Sequence, residues 1–260
     1  MNPKKLHKDE INTMNSHDII ITLKTLGSPS KAQHLQRFFK TGPGEYAEGD
    51  IFWGITVPDI RKIASAYKNI NMHELEQLIQ SPIHEVRMCA LLIMIFQAKI
   101  YPQEMYDIYR THTHSINNWD LVDLSAPTLV GDFLIHKDVS ILYKFAQSEL
   151  MWERRIAIIS TFAFIKKGNS EHTMNLALML LHDAHDLIQK AVGWMLREVG
   201  KRCSQELLED FLKNHATTMP RTTLRYALEH FSQEKRLYFL NLKKINLQNN
   251  NHSTMRKIPR

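Results

Sequence analysis

RMCALLIMI, residues 87–95, sets an alanine in the middle of an apolar run. The run, MCALLIMIF from Met88 to Phe96, is half a membrane span and suits a buried helix. Four later segments repeat the pattern: DLSAPTLVG (123–131), RRIAIISTF (154–162), QKAVGWMLR (189–197) and LRYALEHF (224–231). Their alanines, Ala90, Ala126, Ala157, Ala191 and Ala227, fall at a comparable point of an amphipathic helix, at spacings of 36, 31, 34 and 36 residues. Small residues at loose intervals occur in any helical protein. Five in register, with a period in the thirties, mark repeated helix pairs. One pair cannot bury its apolar face alone, so successive pairs stack and one helix of each lines a concave surface. The chain reads as all-α, a helical solenoid with a concave basic groove.

Helix punctuation supports this, and strand alternation hardly appears. A first helix is expected from about Ile19, and a second from Pro29, which follows Ser28 in a favoured first-turn position, to the glycines of KTGPGEYAEGD (40–50). Further starts are predicted at Thr56/Pro58, at Asn71 with Glu74 in capping-box spacing, and at Ser81-Pro82. Others follow at Pro102, Asn118, Ser170 with Glu171, Asp183, Ser204 and Pro220, giving a dozen or so helices. Pro127 is expected to kink or split the helix begun at Asn118. One repeat domain spans 18–245. The segment before residue 70 fits the period poorly and reads as a cap. Residues 1–17 are polar and flexible, and the polar, basic tail 246–260 is disordered.

With 260 residues and 43% hydrophobic composition, the chain can bury a sizeable core as one large domain or two ordinary ones. Net charge +6 and a pI near 9.2 favour an anionic partner, nucleic acid or an acidic protein. Cys89 and Cys203 lack metal-ligand spacing and read as buried free thiols of a reducing cytoplasm. The N-terminus has no signal-peptide core, which leaves a cytoplasmic protein. KTGPGEY lacks the Lys-Ser/Thr of a nucleotide loop and reads as a turn. The histidines of HTH (112–114), with His182 and His185, lie among polar residues without HExxH or cysteine partners and are expected at the surface.

The residues that carry chemistry centre on NWDLVDLSAPTLV (118–130). Trp119 and Asp123 stand four apart and share a helix face, while Asp120 is turned about 100° away. Arg154/Arg155 and Trp194/Arg197 supply guanidinium groups and a second indole from two further helices, and the pairs are expected to converge on a groove with a single carboxylate. Arg87, Lys190, Lys201, Arg202, Arg221 and Arg225 recur at similar phases, interleaved with Trp152, Trp194 and Tyr226. Charge runs ordinarily mark solvated faces, and a lone tryptophan ordinarily packs in a core. Here the basic groups keep solenoid spacing, as phosphate tracking requires. Trp119 and Trp194 each lie one turn from a charged residue, which favours a partly exposed ring.

NWDLVD, WERRIAI (152–158) and QKAVGWMLRE (189–198) resemble the DNA alkylation repair family, alkylpurine-DNA glycosylases built from HEAT-like repeats. The resemblance runs from RFFKTGPGEYAEGDIFWGITVPDIRKIA (37–64) to MPRTTLRYALEHF (219–231). It implies that Trp119 and Asp123 are catalytic, that Trp194 joins them at the lesion nucleotide, and that Arg155 and Arg197 hold the DNA backbone. Arg154, Lys190 and Arg225 are expected to add DNA contacts. Phe38, with Phe39 beside it, stands where some members carry a tyrosine. The implied activity is hydrolysis of the N-glycosidic bond of cationic N3- or N7-alkylated purines in duplex DNA, by a monomer without metal or cofactor, with the lesion approached through its backbone. The alternatives are a non-catalytic repeat protein that binds bent or branched DNA, and a peptide-binding scaffold, which predicts an apolar or asparagine-lined groove.

Overall fold

Ala90, Ala126, Ala157, Ala191 and Ala227 all lie on helices and have no exposed surface. The repeat phase read from the sequence is therefore the phase of the core. A computed structural model of the chain describes residues 15–242. They form an all-α fold of HEAT-like helix pairs, and the one extended pairing among the described residues is a parallel bridge between Ile51 and Ile83. The chain divides into two compact units, one ending at Lys137 and one beginning at Asp138.

The first unit contains α1 (Ser16–Thr25), α2 (Pro29–Phe38), α3 (Val57–Ala66), α4 (Met72–Ile79), α5 (His84–Gln97), α6 (Pro102–Thr111) and α7 (Trp119–Ala126). Helix α5 is the hub and packs against α1, α3, α4, α6 and α7. Because it is surrounded, its residues from His84 to Met94 are all buried, which accounts for the unbroken apolar run. At Pro127 the α-helix passes into a π-helical stretch, Pro127–Asp132. Proline lacks an N–H, so the hydrogen-bond ladder changes there while the backbone stays helical at Ala126, Pro127 and Phe133.

The second unit contains α8 (Ser140–Ala146), α9 (Met151–Ser160), α10 (Phe162–Ile165), α11 (Glu171–Met179), α12 (Asp186–Arg202), α13 (Gln205–His215) and α14 (Arg221–Ala227). A further helical stretch covers 233–242. Helix α12 is the hub of this unit. Gly193 lets α14 come close: a Cβ there would lie 2.5 Å from the Thr223 carbonyl oxygen and 2.6 Å from Tyr226 Cβ.

Most predicted helix starts hold, with Asn71, Asn118 and Ser204 accepting backbone N–H groups as N-caps. Helix α1 begins three residues before the expected Ile19, and α2 ends at Phe38, short of the glycines. Ser81 and Asp183 are not caps. Each folds the preceding turn, Ser81 Oγ accepting from Ile83 N–H and Asp183 Oδ1 from His185 N–H, and the helix starts three residues on. Ser148 does the same to Leu150 ahead of α9. A side chain six residues further then returns to that turn: Arg87 Nη1 donates to the Ser81 carbonyl at 2.8 Å, Arg154 Nη1 to Ser148 at 2.9 Å, and Gln189 Nε2 to Asp183 at 2.9 Å. Three hub and pair helices thus share one lock between turn and helix.

Two surface expectations need correction. His112 is buried, its Nδ1 2.9 Å from the Ile108 carbonyl, because it closes the last turn of α6. His182 is exposed, whereas His185 is half-buried and caps α12. Cys89 is a buried free thiol, but Cys203 is only half-buried. In the glycine-rich loop, the Gly42 and Gly44 N–H groups donate to the Glu45 and Glu48 carboxylates, a closed turn consistent with the loop assignment. No helix among the described residues is long and apolar enough to cross a membrane.

Candidate active site

Asn118 begins α7 by accepting the Trp119 N–H at 2.9 Å. Trp119 is half-buried, stacked on Phe39 with ring centroids 5.3 Å apart, and meets the edge of Phe38 at 6.1 Å. Phe39 is buried, but Phe38 is 56% exposed and presents an apolar ring at the surface beside the indole. One turn further, Asp123 is half-buried on the same helix. Its charge is felt by Tyr109: burial pushes that phenol's pKa up, the Ser125 hydrogen bond opposes this, and Asp123 adds to the rise.

Asp120 does turn away, into a buried polar cluster. Its Oδ2 lies 2.9 Å from His84 Nε2, and His84 Nδ1 lies 2.9 Å from Asp50 Oδ2. Arg87 donates from Nη2 to Asp50 Oδ1 at 2.7 Å and to Asn117 Oδ1 at 2.8 Å. Burial works against a charged His84, yet the bonds and charges of Asp120 and Asp50 outweigh it and raise its pKa to about 9. Asp50 is lowered: burial opposes its charge, but the His84 bond and the Arg87 guanidinium prevail. Arg87 is thus a buried structural arginine, which removes it from the residues expected to track phosphate.

In the second unit Trp194 is half-buried and donates its indole N–H to Glu198 Oε1 at 3.3 Å. The Glu198 carboxylate, itself buried, also takes Arg197 Nη2 at 3.3 Å and Arg202 Nε at 2.7 Å. Burial raises its pKa, but Arg202 and Arg197 lower it further, so it stays charged at neutral pH. Arg197 makes a second ion pair with the exposed Glu229. Arg154 pairs with Asp183 at 2.7 Å and Lys190 with Asp186 at 2.6 Å. Arg155 is only 5% exposed and donates to the Leu187 carbonyl, tying α9 to the start of α12. Arg225, Arg221, Lys201 and Arg202 are exposed. Trp152 is a core residue, at odds with its expected place among the interleaved aromatics, because it lies on the packed side of α9.

His84, Asp50, Glu198 and Glu229 were missed in the sequence. A signal was available: His84 and Asp120 are 36 residues apart, the spacing of Ala90 and Ala126, so residues at one phase of adjacent repeats are neighbours.

Stacked helix pairs carrying aromatic, carboxylate and guanidinium groups at recurring phases define a HEAT-like helical-repeat protein. The family model of the DNA alkylation repair enzymes matches residues 19–231, and the chain belongs to that family. Membership makes DNA alkylation repair its function and DNA its partner. A predicted DNA alkylation repair enzyme from Enterococcus faecalis is similar in structure, with a TM-score of 0.66 and 19% identity over 80% of this chain and 97% of that one. AlkD2 from Streptococcus mutans is similar with a TM-score of 0.52 and 18% identity over 77% and 97%. At these identities the likeness speaks to the fold. No curated protein matches the chain.

Proposed function

We propose that the chain is a monofunctional DNA glycosylase that releases cationic N3- and N7-alkylated purines from duplex DNA. The observation that carries this reading is the pairing on α7: Asp123 stands one turn from the half-buried Trp119, while the neighbouring carboxylate, Asp120, is taken up by His84.

A purine alkylated at N3 or N7 carries positive charge and leaves without protonation. Its departure develops an oxocarbenium-like sugar, as in glycoside hydrolysis, where a second carboxylate normally serves as acid for the leaving group. Here Asp123 stabilises the sugar cation and positions the water that attacks it. One preorganised group of this kind contributes roughly 3–4 kcal/mol. Trp119 presses its ring on the lesion nucleotide, adding about 0.5–2 kcal/mol by cation–π attraction, and Trp194 offers its ring to the DNA. Arg155, Arg197, Lys190 and Arg225 serve the DNA backbone, whereas the guanidinium of Arg154 is withdrawn to Asp183 and the Ser148 carbonyl. For Arg197 and Lys190 the acidic partners Glu229 and Asp186 are exposed, so phosphates can replace them at little desolvation cost.

The test is incubation of the purified chain with methylated duplex DNA and chromatography of the free bases. Release of 7-methylguanine or 3-methyladenine is expected. Intact DNA binding without release would instead leave a non-catalytic DNA-binding repeat protein.

A further inference from the structure

We propose that His84 is a positioning residue: bridging Asp50 and Asp120, it clamps the start of the helix that bears Trp119 and Asp123. This rests on the glycosylase reading for what the clamp serves. Two routes lead from His84 to Trp119. The polar one passes through Asp120, the next residue in sequence, held at 2.9 Å. The apolar one passes through rings: His84 stacks on Phe52 at 4.3 Å, Phe52 on Phe39 at 5.0 Å, and Phe39 on Trp119 at 5.3 Å. The same cluster fixes the residues just before α7, because Arg87 bonds both Asp50 and Asn117.

The groups that face His84 are Asp120 from α7, Asp50 from the preceding loop, and Arg87 from its own helix acting through Asp50. Glu85, next along, is turned to the N–H groups of Trp53, Gly54 and Ile55. Both ring nitrogens face carboxylates. A protonated imidazole donates to both, whereas a neutral one has a single N–H and can hold only one. Losing the proton therefore releases either Asp50 or Asp120. Asp50 is sealed from water, whereas the part-exposed Asp120 carboxylate can be hydrated, so Asp120 is the one set free, and the indole beside it loses its fixed angle. A misplacement of about 1 Å near a reacting centre costs about a hundredfold in rate.

The experiment compares the full chain with its Asp120→Leu variant, which keeps the size and offers Nε2 no partner, and with Asp120→Asn, whose amide accepts from a protonated ring and donates to a neutral one. Single-turnover release of 7-methylguanine is measured at about pH 6 and about pH 8.5, on either side of the ordinary histidine range. The Leu variant is expected about tenfold slower than wild type at both, and the Asn variant within about twofold at both. A His84→Gln chain, which cannot titrate, is expected to be slow at both. Histidine-ring and indole N–H resonances supply an arm independent of activity: the Trp119 signal should shift with the midpoint of His84, and that midpoint should fall in Asp120→Asn. A Leu variant as fast as wild type, a slow Asn variant, or a Trp119 signal indifferent to His84 would overturn the clamp. If wild type releases no base, the glycosylase reading fails, and the resonance arm still decides the clamp.

Discussion

Trp194 gives its indole N–H to the buried carboxylate of Glu198 and so has only ring faces left for a partner. The same carboxylate holds Arg197, which makes one buried acid the common anchor of an aromatic and a cationic group on α12. Replacing Glu198 by Gln keeps the shape and weakens both ties. The expected outcome is a stability loss of about 1–3 kcal/mol, the usual cost of compromised buried polar groups, together with weaker DNA binding. Urea unfolding and a binding titration on the same preparation check this, and unchanged affinity would take Trp194 and Arg197 out of DNA contact.

Asp123→Asn should lower single-turnover base release about 100- to 1,000-fold while leaving the fold intact. Removing a negative charge next to phosphate is expected to leave DNA affinity equal or tighter. A variant that released 7-methylguanine at the wild-type rate would end the one-carboxylate mechanism.

Arg197→Ala should weaken binding to alkylated and plain duplex alike, and reduce the slope of log affinity against log salt by about one. Arg155→Ala is expected to do the same and also to destabilise the protein by about 1–3 kcal/mol, since its guanidinium is buried and bonds Leu187. Salt titrations well below the melting temperature separate the two effects. An unchanged slope for both would place the backbone contacts elsewhere.

Selection should follow the charge of the leaving group. Glu198 and Glu229 are both paired with Arg197, so the proposed mechanism has no acid to offer a neutral base. In the same duplex, 7-methylguanine should be excised and hypoxanthine hardly at all. Comparable rates would require a general acid and a different assignment of roles.

Stability should depend on pH through His84. Its pKa is raised from 6.5 to about 9, so the folded state binds its proton more tightly than the unfolded one. The stabilisation is full below about pH 6.5, declines above it and is lost as pH passes about 9, for a total on the order of 3 kcal/mol. Thermal melts across that window should show the decline, and Asp120→Asn should flatten it. A wild-type melting temperature that stays level from neutral to alkaline pH would mean that His84 is neutral in the folded protein.

The alanine register was legible because a solenoid core repeats with the chain, and Trp119, Asp123, Trp194 and Arg197 lie on the helices predicted for them. What the sequence hid is pairing between repeats. Arg87 and Arg154 look like neighbours of a phosphate path, yet their guanidinium groups turn back to the carbonyls of Ser81 and Ser148. Trp152 carries the same aromatic signal as Trp194, and only the packing of its helix separates core from surface. Local periodicity gives a face, whereas the destination of a long side chain depends on which carbonyl or carboxylate the adjacent turn presents.

Counting back three residues from the first three register alanines, Ala90, Ala126 and Ala157, gives Arg87, Asp123 and Arg154. The two arginines fasten each helix to its own entering turn; Asp123 occupies the equivalent place and has no N–H to donate to one. Its helix relies instead on the preceding repeat, through Arg87 to Asn117 and His84 to Asp120. An aspartate at this place gives up a self-sufficient fastening and makes one repeat dependent on its neighbour. An Asp123→Arg chain would be the opposite bargain, a repeat restored to type, with a higher melting temperature and no base release.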